Sequence, residues 1–212
     1  MREFILVLVV SVLILGSCVR FGILTPTTQS SSLSDKEISF GVGNYSRAIS
    51  FEVRKGIFND GFMGSDVGLF ISYSLPDSYF KSISLFSDIK VSFFEHSRSK
   101  IASGIGFSYL NIFENIENVE YHFDSFYVVF PLYMESSLTE WFRFMVNFRL
   151  FNSILDKGVY NQKLHSYKNL FLTLNLGILF FQTLSIEGYM LAGENFESFP
   201  IPGFSLKYLI KF

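Results

Sequence analysis

The chain ends on an alternating stretch, FSLKYLIKF, at residues 204–212. Every second residue of it is apolar: Phe204, Leu206, Tyr208, Ile210 and Phe212. The positions between them are mostly small or charged, with Leu209 as the exception. Successive side chains of a β-strand point to opposite faces, so a period of two predicts a strand with one apolar face.

The same period recurs through the rest of the chain beyond residue 36. Residues 67–75, 83–93, 142–150 and 170–180 all alternate in this way, and no stretch keeps the i, i+3, i+4 spacing of a helix for long. The pattern predicts an all-β, antiparallel fold over residues 37–212. We expect strands at about 37–45, 48–55, 65–75, 81–94, 100–113, 125–136, 139–152, 168–180, 183–193 and 203–212.

The length of these segments favours lipid over water outside the apolar face. Most of them run 9–14 residues, whereas strands of globular proteins centre on about 5–6 and a tilted transmembrane strand needs about 9–11. Aromatic residues, including Trp141, Phe180 and Phe181, crowd the predicted strand ends, as they do at membrane interfaces. We therefore predict an up-and-down transmembrane β-barrel of about ten strands, with eight as the alternative.

Export is predicted by the first residues. Arg2 precedes an apolar run from Phe4 to Leu15 that is too short for the roughly 20 residues of a membrane-spanning helix, so residues 1–17 are interpreted as a signal peptide. The sequence LGSC at 15–18 resembles a lipobox, which predicts a lipoprotein acylated at Cys18; plain cleavage and an uncleaved anchor are the alternatives. Residues 18–36, polar and rich in Ser and Thr from 25 onward, are predicted to be a tether.

Composition excludes several classes of function. With 17 Lys+Arg against 19 Asp+Glu the net charge is −2. The chain therefore lacks the excess of basic residues that is typical of a nucleic-acid-binding protein. A single Cys excludes an intramolecular disulfide framework. No metal-binding spacing, phosphate loop or nucleophile pattern occurs, so we expect no cofactor, no metal and no enzyme. A rim protease of the omptin type, with His122 near Asp124, is a remote third alternative.

Two segments carry a resemblance to a known family. Residues 40–43 (FGVG), a short turn and ISFEV at 49–53 resemble the opening of small spirochaetal-type outer-membrane barrels, and FPL at 130–132 before WFRF at 141–144 resembles their later hairpin. The terminal Phe212 is similar to the carboxy-terminal signal of bacterial outer-membrane barrels. The resemblance implies an OmpA-like barrel, delivery by the outer-membrane assembly machinery, contact with membrane lipid and, in some members, host-binding surface loops.

The face opposite the apolar one is predicted to line the lumen. It carries six positive and five negative groups: Glu52, Arg54, Asp66, Asp88, Lys90, Glu135, Arg143, Arg149, Glu187, Lys207 and Lys211. A barrel of eight to ten strands is nearly filled by its own side chains. Buried charges must be paired, so the balanced set favours a closed lumen with ion pairs over an open channel.

Function is then expected in the long outer loops, predicted at 114–124, 153–167 and 194–202. Aromatic and charged side chains together suit protein recognition, and the candidates are Glu117, Glu120, Tyr121, Phe123, Lys157, Tyr160 and Lys163. We predict a non-enzymatic, porin-like or adhesive outer-membrane protein whose surface loops bind an extracellular protein ligand of the host. A purely structural barrel or a narrow pore is the alternative.

Overall fold

A computed structural model describes residues 33, 37–45, 48–60, 62–74, 80–96, 98–116, 119–160, 163–165, 170–181, 183–193 and 201–212. The regular structure within these ranges is entirely β. The strands, in chain order, are β1 (Ile38–Tyr45), β2 (Ala48–Asn59), β3 (Gly64–Ser74), β4 (Phe80–His96), β5 (Ser99–Ile116), β6 (Val119–Thr139), β7 (Phe142–Tyr160), β8 (Lys163–His165), β9 (Leu170–Phe180), β10 (Leu184–Gly193) and β11 (Ile201–Lys211).

The strands close into a barrel because the first and last of them pair. Strands β1 and β11 are antiparallel with Ser39 opposite Lys211, and the pairing of β6 with β7 completes the circuit. Ten strands form the wall, whereas β8 pairs only with the end of β7 over three residues. The predicted up-and-down barrel of about ten strands is therefore confirmed, and the alternative of eight is wrong.

The period of two divides the wall into an apolar outside and a polar inside. On β2 the buried and exposed side chains alternate from Ala48 to Gly56, and β9 alternates in the same way. Exposed side chains of the wall are mostly large and apolar, for example Phe51, Leu69 and Phe107. Within the described ranges no helix has the length and apolarity needed to traverse a bilayer.

The two ends of the barrel differ. At what we name the terminal end, Ile38 and Phe212 exchange backbone hydrogen bonds of 3.0 and 2.9 Å. Residues 56–64, which separate the strands predicted at 48–55 and 65–75, are partly strand at this end, since β2 runs to Asn59 and β3 begins at Gly64. The opposite, loop end contains the connection between β1 and β2, at Tyr45 and Ala48.

Aromatic side chains lie on the outside of the terminal end. Trp141 stacks on Phe181 with ring centroids 6.0 Å apart, and Phe40 meets Phe212 edge to face at 5.9 Å. Phe181 adopts a positive φ of 50° in the turn between β9 and β10. That turn brings the Phe181 ring to Trp141, and the aromatic contacts match the girdle of residues expected where a barrel leaves the lipid.

Two segments that were predicted to be loops are largely β-strand in the structure. Residues 114–124 and 153–167 were expected to be irregular, but β5 continues to Ile116, β6 begins at Val119 and β7 continues to Tyr160. The β6–β7 ladder runs from Tyr121 opposite Tyr160 to Thr139 opposite Phe142. At 21 residues, β6 is about twice as long as a membrane crossing requires. We name residues 111–116, 119–126, 153–160 and 163–165 the strand extension.

Candidate functional site

Six charged side chains meet inside the barrel and form what we name the charged layer. They come from β2, β3, β4 and β11, and all lie on inward positions with at most 5% of their surface exposed. Three are acidic and three are basic, so their formal charges cancel. The members are Glu52, Arg54, Asp66, Asp88, Lys90 and Lys207.

Arg54 is the centre of this layer. Its guanidinium donates to Asp66 through Nη1, and its Nη2 lies 2.6 Å from Oδ1 of Asp88. Its Nε lies 3.4 Å from Oε1 of Glu52, two residues earlier on the same face of β2. The planar fork of an arginine presents five donors in a fixed geometry, so it can bind several carboxylates at once from different directions.

The remaining charges of the layer are also paired. Lys90 Nζ lies 3.0 Å from Oδ2 of Asp66, and Lys207 from β11 pairs with Glu52. The second oxygen of Asp88 accepts a hydrogen bond of 2.8 Å from the hydroxyl of Tyr133. Each carboxylate of the layer is thus compensated, as burial requires.

Gly68 provides the space for the Arg54 guanidinium. A Cβ built at Gly68 would overlap with the end of the Arg54 side chain and would lie 2.9 Å from Oδ1 of Asp88. Gly68 stands directly opposite Asp88 in the β3–β4 ladder. The absence of a side chain at this position therefore decides whether Arg54 can reach both carboxylates.

The other predicted lumen residues also lie on inward positions. Arg143 Nη1 donates to Oε1 of Glu135 at 2.7 Å, nearer the terminal end. Arg149 has its guanidinium over the rings of Tyr133 and Phe86, at 5.3 and 5.9 Å from the centroids. Glu187 accepts a hydrogen bond from Ser185. Lys211 is half-buried next to the terminal Phe212, whose own side chain is exposed.

A second, apolar layer fills the lumen towards the loop end. Phe151 and Phe171 stack with centroids 4.3 Å apart and planes at 9°, and Tyr127 meets Phe171 edge to face at 5.1 Å. The alternation of the sequence did not predict this layer, because these rings occupy positions on the otherwise polar face. Its members are Ala48, Phe70, Phe86, Leu110, Tyr127, Val129, Phe151 and Phe171.

Several buried polar atoms of the lumen lack a hydrogen-bond partner among the described residues. The hydroxyl oxygens of Ser72, Ser82, Ser125 and Thr173 and the amide oxygen of Asn147 share this property. Buried polar groups are usually satisfied by protein or by ordered water. The lumen wall thus offers sites for water beside the ion pairs.

The predicted binding residues fall on the strand extension. Phe123 is half-buried and Lys157 is exposed, and Lys157 stands opposite Asp124 in the β6–β7 ladder. The backbones of Glu120, Tyr121, Tyr160 and Lys163 belong to strands, whereas Glu117 lies outside the described residues. These residues are thus placed along strands, which fixes their spacing. Residues 194–200, most of the third predicted loop, also lie outside the described residues.

A polar cluster on the outward face of β5 and β6 joins the extension to the barrel. The hydroxyl of Tyr109 and Nδ2 of Asn111 donate to Oδ1 of Asp124 at 2.8 and 2.6 Å. His122 Nε2 lies 3.4 Å from Oδ2 of Asp124. Because His122 and Asp124 share the outward face, they do not line the mouth, where an omptin-like pair would be expected. The absence of enzymatic activity stays a prediction.

Below this cluster the outward face becomes apolar. Phe126 packs on the ring of Tyr109, with centroids 4.7 Å apart, and Phe107 is exposed on the next outward position of β5. Tyrosine is typical of the boundary between lipid and water, because its ring is apolar and its hydroxyl is polar. The change of polarity at Tyr109 places the part of the strand extension that begins at Asn111 and Asp124 beyond the apolar belt.

At the terminal end, the turn between β2 and β3 is held by Asp60. Its Oδ1 accepts backbone hydrogen bonds from Met63 at 2.6 Å and from Phe62 at 2.9 Å. These two donors lower the pKa of the exposed Asp60 carboxyl below its ordinary value, because they favour the ionised form. The arrangement is structural and leaves Phe62 and Met63 exposed.

No metal centre is evident in the described part of the chain, where no three His, Cys, Asp or Glu side chains are grouped to hold an ion. Cys18 and the predicted signal peptide lie outside the described residues, so acylation and export stay predictions. The chemistry of the described interior is therefore that of ion pairs, aromatic contacts and hydrogen bonds.

A closed wall that is apolar outside and charged inside defines the class of protein. Lipid can contact one face only, and the described strands pair with a neighbour on each side around the closed wall, which is the arrangement of a transmembrane β-barrel.

No protein-family model and no curated protein matches the chain. Several solved structures are similar to it in fold alone. A TodX deltaS2S3 mutant monoaromatic hydrocarbon channel has a TM-score of 0.46 at 10% identity, covering 88% of this chain and 70% of that one. The CymD monoaromatic hydrocarbon channel has a TM-score of 0.43 at 8% identity, covering 83% of this chain and 66% of that one. The translocator domain of autotransporter NalP from Neisseria meningitidis has a TM-score of 0.41 at 6% identity, covering 83% of this chain and 86% of that one.

Proposed function

We propose that the chain is an outer-membrane protein whose closed barrel supports the strand extension, and that the extension binds a protein outside the cell. The observation that carries the proposal is the length of β5, β6 and β7, of 18, 21 and 19 residues. Such strands continue well beyond the about 9–11 residues that cross a membrane. A scaffold that holds a binding segment rigidly reduces the entropy lost on association.

The filled lumen supports the same proposal. The charged layer and the apolar layer follow each other along the barrel axis, so a solute would have to displace paired charges and stacked rings. A small barrel with a filled interior is suited to holding its strands together and less suited to transport. Binding at the outside is then the function that the extension itself can perform.

The surface of the extension suits a contact of mixed charge. Lys157 and Asp124 stand opposite each other, and His122 is about half exposed beside them. Exposed charges guide association over distances of about a Debye length, near 8 Å at physiological salt, so the expected contact weakens as salt increases.

Surface labelling and binding test this proposal together. In a background with Cys18 replaced by Ser, Lys157→Cys on intact cells should react with a membrane-impermeant maleimide, while Phe62→Cys at the terminal end should not. The substitutions Lys157→Glu and His122→Glu, which both make the surface more negative, should then weaken adhesion to a panel of purified serum and matrix proteins. Lys55→Glu, on the outward face near the terminal end, is the control. Protection of residue 157 on intact cells, or adhesion that is unchanged by both substitutions, would overturn the proposal.

A narrow pore is a second candidate, favoured by the unpartnered polar atoms of the lumen. Water bound at Ser72, Asn147 and Thr173 would provide a wet path beside the charged layer. Recordings from planar bilayers distinguish the two functions. The closed barrel should show no steady conductance. The double variant Phe151→Ala, Phe171→Ala should show a higher conductance than the unmodified protein. Stable channels formed by the unmodified protein would favour the pore.

A further inference from the structure

The ladder between β5 and β6 is interrupted within the wall. Residues 99–103 of β5 pair with residues 132–136 of β6, and residues 106–116 pair with residues 119–129. Both strands are described throughout this stretch, yet no pair joins them at residues 104–105. The register is the same on both sides of the gap, so the ladder loses two pairs without a bulge. We name the shorter part of the ladder, at the terminal end, the flap.

Pro131 explains the interruption. The register sets it opposite Gly104, and a proline has no N–H to donate to the neighbouring strand. Its carbonyl oxygen instead accepts a hydrogen bond of 2.8 Å from the hydroxyl of Ser103. A Cβ built at Gly104 would overlap with the carbonyl oxygen of Ile89 on β4. At this residue β5 thus lies close against β4, on the side away from β6.

The outer side of the gap faces lipid. Ile105 and Phe130, the outward residues at the gap, are both exposed and apolar. Lipid offers no hydrogen bonds to an interrupted ladder, so strands are held there only by groups of the protein itself. The bond from the Ser103 hydroxyl to Pro131 joins the two strands at this point. We name it the outer latch.

Tyr133 joins the flap to the wall on the lumen side. Its hydroxyl donates a hydrogen bond of 2.8 Å to Oδ2 of Asp88, which belongs to β4. Because β5 lies between β4 and β6, this bond crosses over β5. The inward residues of β5 at this level are small, which leaves room for the tyrosine: Ala102, Gly104 and Gly106. We name this bond the inner latch.

We propose that the flap opens sideways as a unit of its own, and that the outer and inner latches keep it closed. The two missing pairs separate the flap from the long ladder of the strand extension. Segments that share few contacts with their surroundings open as separate cooperative units. Opening breaks the bond between Tyr133 and Asp88, so it uncovers one carboxylate of the charged layer.

The flap goes beyond the proposed binding function and does not depend on it. The strand extension is carried by the uninterrupted ladder of residues 106–116, on the other side of the gap. A flap that never opens would leave binding by the extension intact. Adhesion that is insensitive to Lys157→Glu would equally leave the flap intact.

Hydrogen exchange, followed by NMR in detergent micelles, tests whether the flap is a separate unit. The amides that bond across the seam within residues 99–103 and 132–136 should exchange at one common rate. That rate should exceed the rate of the corresponding amides within residues 106–110. Equal rates on both sides of the gap, or a steady gradient without a step at residues 104–105, would overturn the proposal.

Single substitutions test the latches, with the ratio of the exchange rate of the flap to that of residues 106–110 as the readout. Ser103→Ala should raise this ratio by about fivefold, the effect of one lost hydrogen bond, and Tyr133→Phe should raise it at least as much. Ser103→Thr keeps the hydroxyl and should retain the ratio of the wild type. Ser87→Ala is the matched control, because Ser87 is also a half-buried outward serine but lies in uninterrupted ladders. An unchanged ratio in either latch variant, folded and heat-modifiable, would overturn the proposal.

Spin labels test whether the strands separate. In the cysteine-free full chain, labels at Ile101→Cys and Met134→Cys occupy directly opposite positions of the flap and should broaden each other's EPR spectrum. A second, unbroadened population should be present and should grow several-fold in Ser103→Ala. The control pair Ile71→Cys with Leu85→Cys, in the uninterrupted β3–β4 ladder, should give the broadened spectrum alone. A flap that gives only the broadened spectrum in both backgrounds would overturn the proposal.

Discussion

Lys90 and Asp66 stand directly opposite each other in the β3–β4 ladder, and Nζ of Lys90 lies 3.0 Å from Oδ2 of Asp66. Both side chains are fully buried, so neither charge can be solvated by bulk water. The pair is held in register by the strands themselves, and Arg54 approaches the other oxygen of Asp66 from β2. This part of the charged layer is thus built across three adjacent, hydrogen-bonded strands of the wall.

Lys90→Met should destabilise the barrel by about 3–5 kcal/mol, because it leaves the negative charge of the layer uncompensated. Unfolding in urea from detergent micelles measures the change. Lys55→Met, on the exposed face of β2, is the control and should change the stability little. In a double-mutant cycle with Asp66→Leu the two losses should be less than additive. Additive losses would show that the two charges do not interact.

Gly68→Ala should disturb the layer without removing any charge. The added methyl group would overlap with the Arg54 guanidinium, which would have to leave Asp66 or Asp88. We expect a loss of about 1–3 kcal/mol, typical of overpacking at a filled site. Gly188→Ala, at an exposed position of β10, is the matched control. A Gly68 variant as stable as the Gly188 variant would contradict this account of the close approach.

Trp141 provides a probe for the position of the membrane, since it is the only tryptophan of the chain. It is 51% exposed on the outside of the terminal end and stacks on Phe181. In vesicles, bromine atoms near the headgroups should quench its fluorescence more strongly than bromine atoms near the chain ends. A variant with Trp141→Phe and Ile71→Trp should show the reverse order, because Ile71 lies within the apolar belt. The same order in both proteins would disprove the girdle.

The turn at Asp60 should depend on pH. Because the folded pKa is lowered, the contribution of the ionised carboxylate is fully present above the ordinary pKa of about 4. It is lost as the pH falls through the lower folded pKa. The amide NMR shifts of Phe62 and Met63 should change in that acidic range and should become insensitive to pH in Asp60→Asn. Titration that persists in the variant would assign the effect to another group.

The period of two made much of the fold predictable, because alternation depends only on which face of a strand meets lipid. It placed all eleven charged residues, including Arg54 and Lys207, on the inward face before any contact was known. It could not predict the apolar layer, since Phe151 and Phe171 break the rule of a polar interior. Their burial follows from the curvature of the wall, which brings inward positions of distant strands together.

Strand ends were the least predictable feature. Residues 114–124 were predicted to be a loop because they lie between two alternating segments, but backbone pairing with β5 extends β6 to Val119. Composition reflects the solvent around a segment, whereas pairing depends on a neighbour that the sequence does not name. The same reason explains the buried Leu33 of the predicted tether, whose polar surroundings in the chain indicated solvent and whose spatial neighbour is Asp66.

The sequence by itself determined the β class and the two faces of the wall and favoured ten wall strands over eight, because these follow from a local period and from segment length. Only the tertiary structure decided which charges pair, how the lumen is filled at two levels, and where the strand extension and Leu33 lie. Those outcomes depend on register and closure, which bring Glu52 to Lys207 from opposite ends of the chain. Such long-range contacts leave no spacing in the sequence by which they could be recognised.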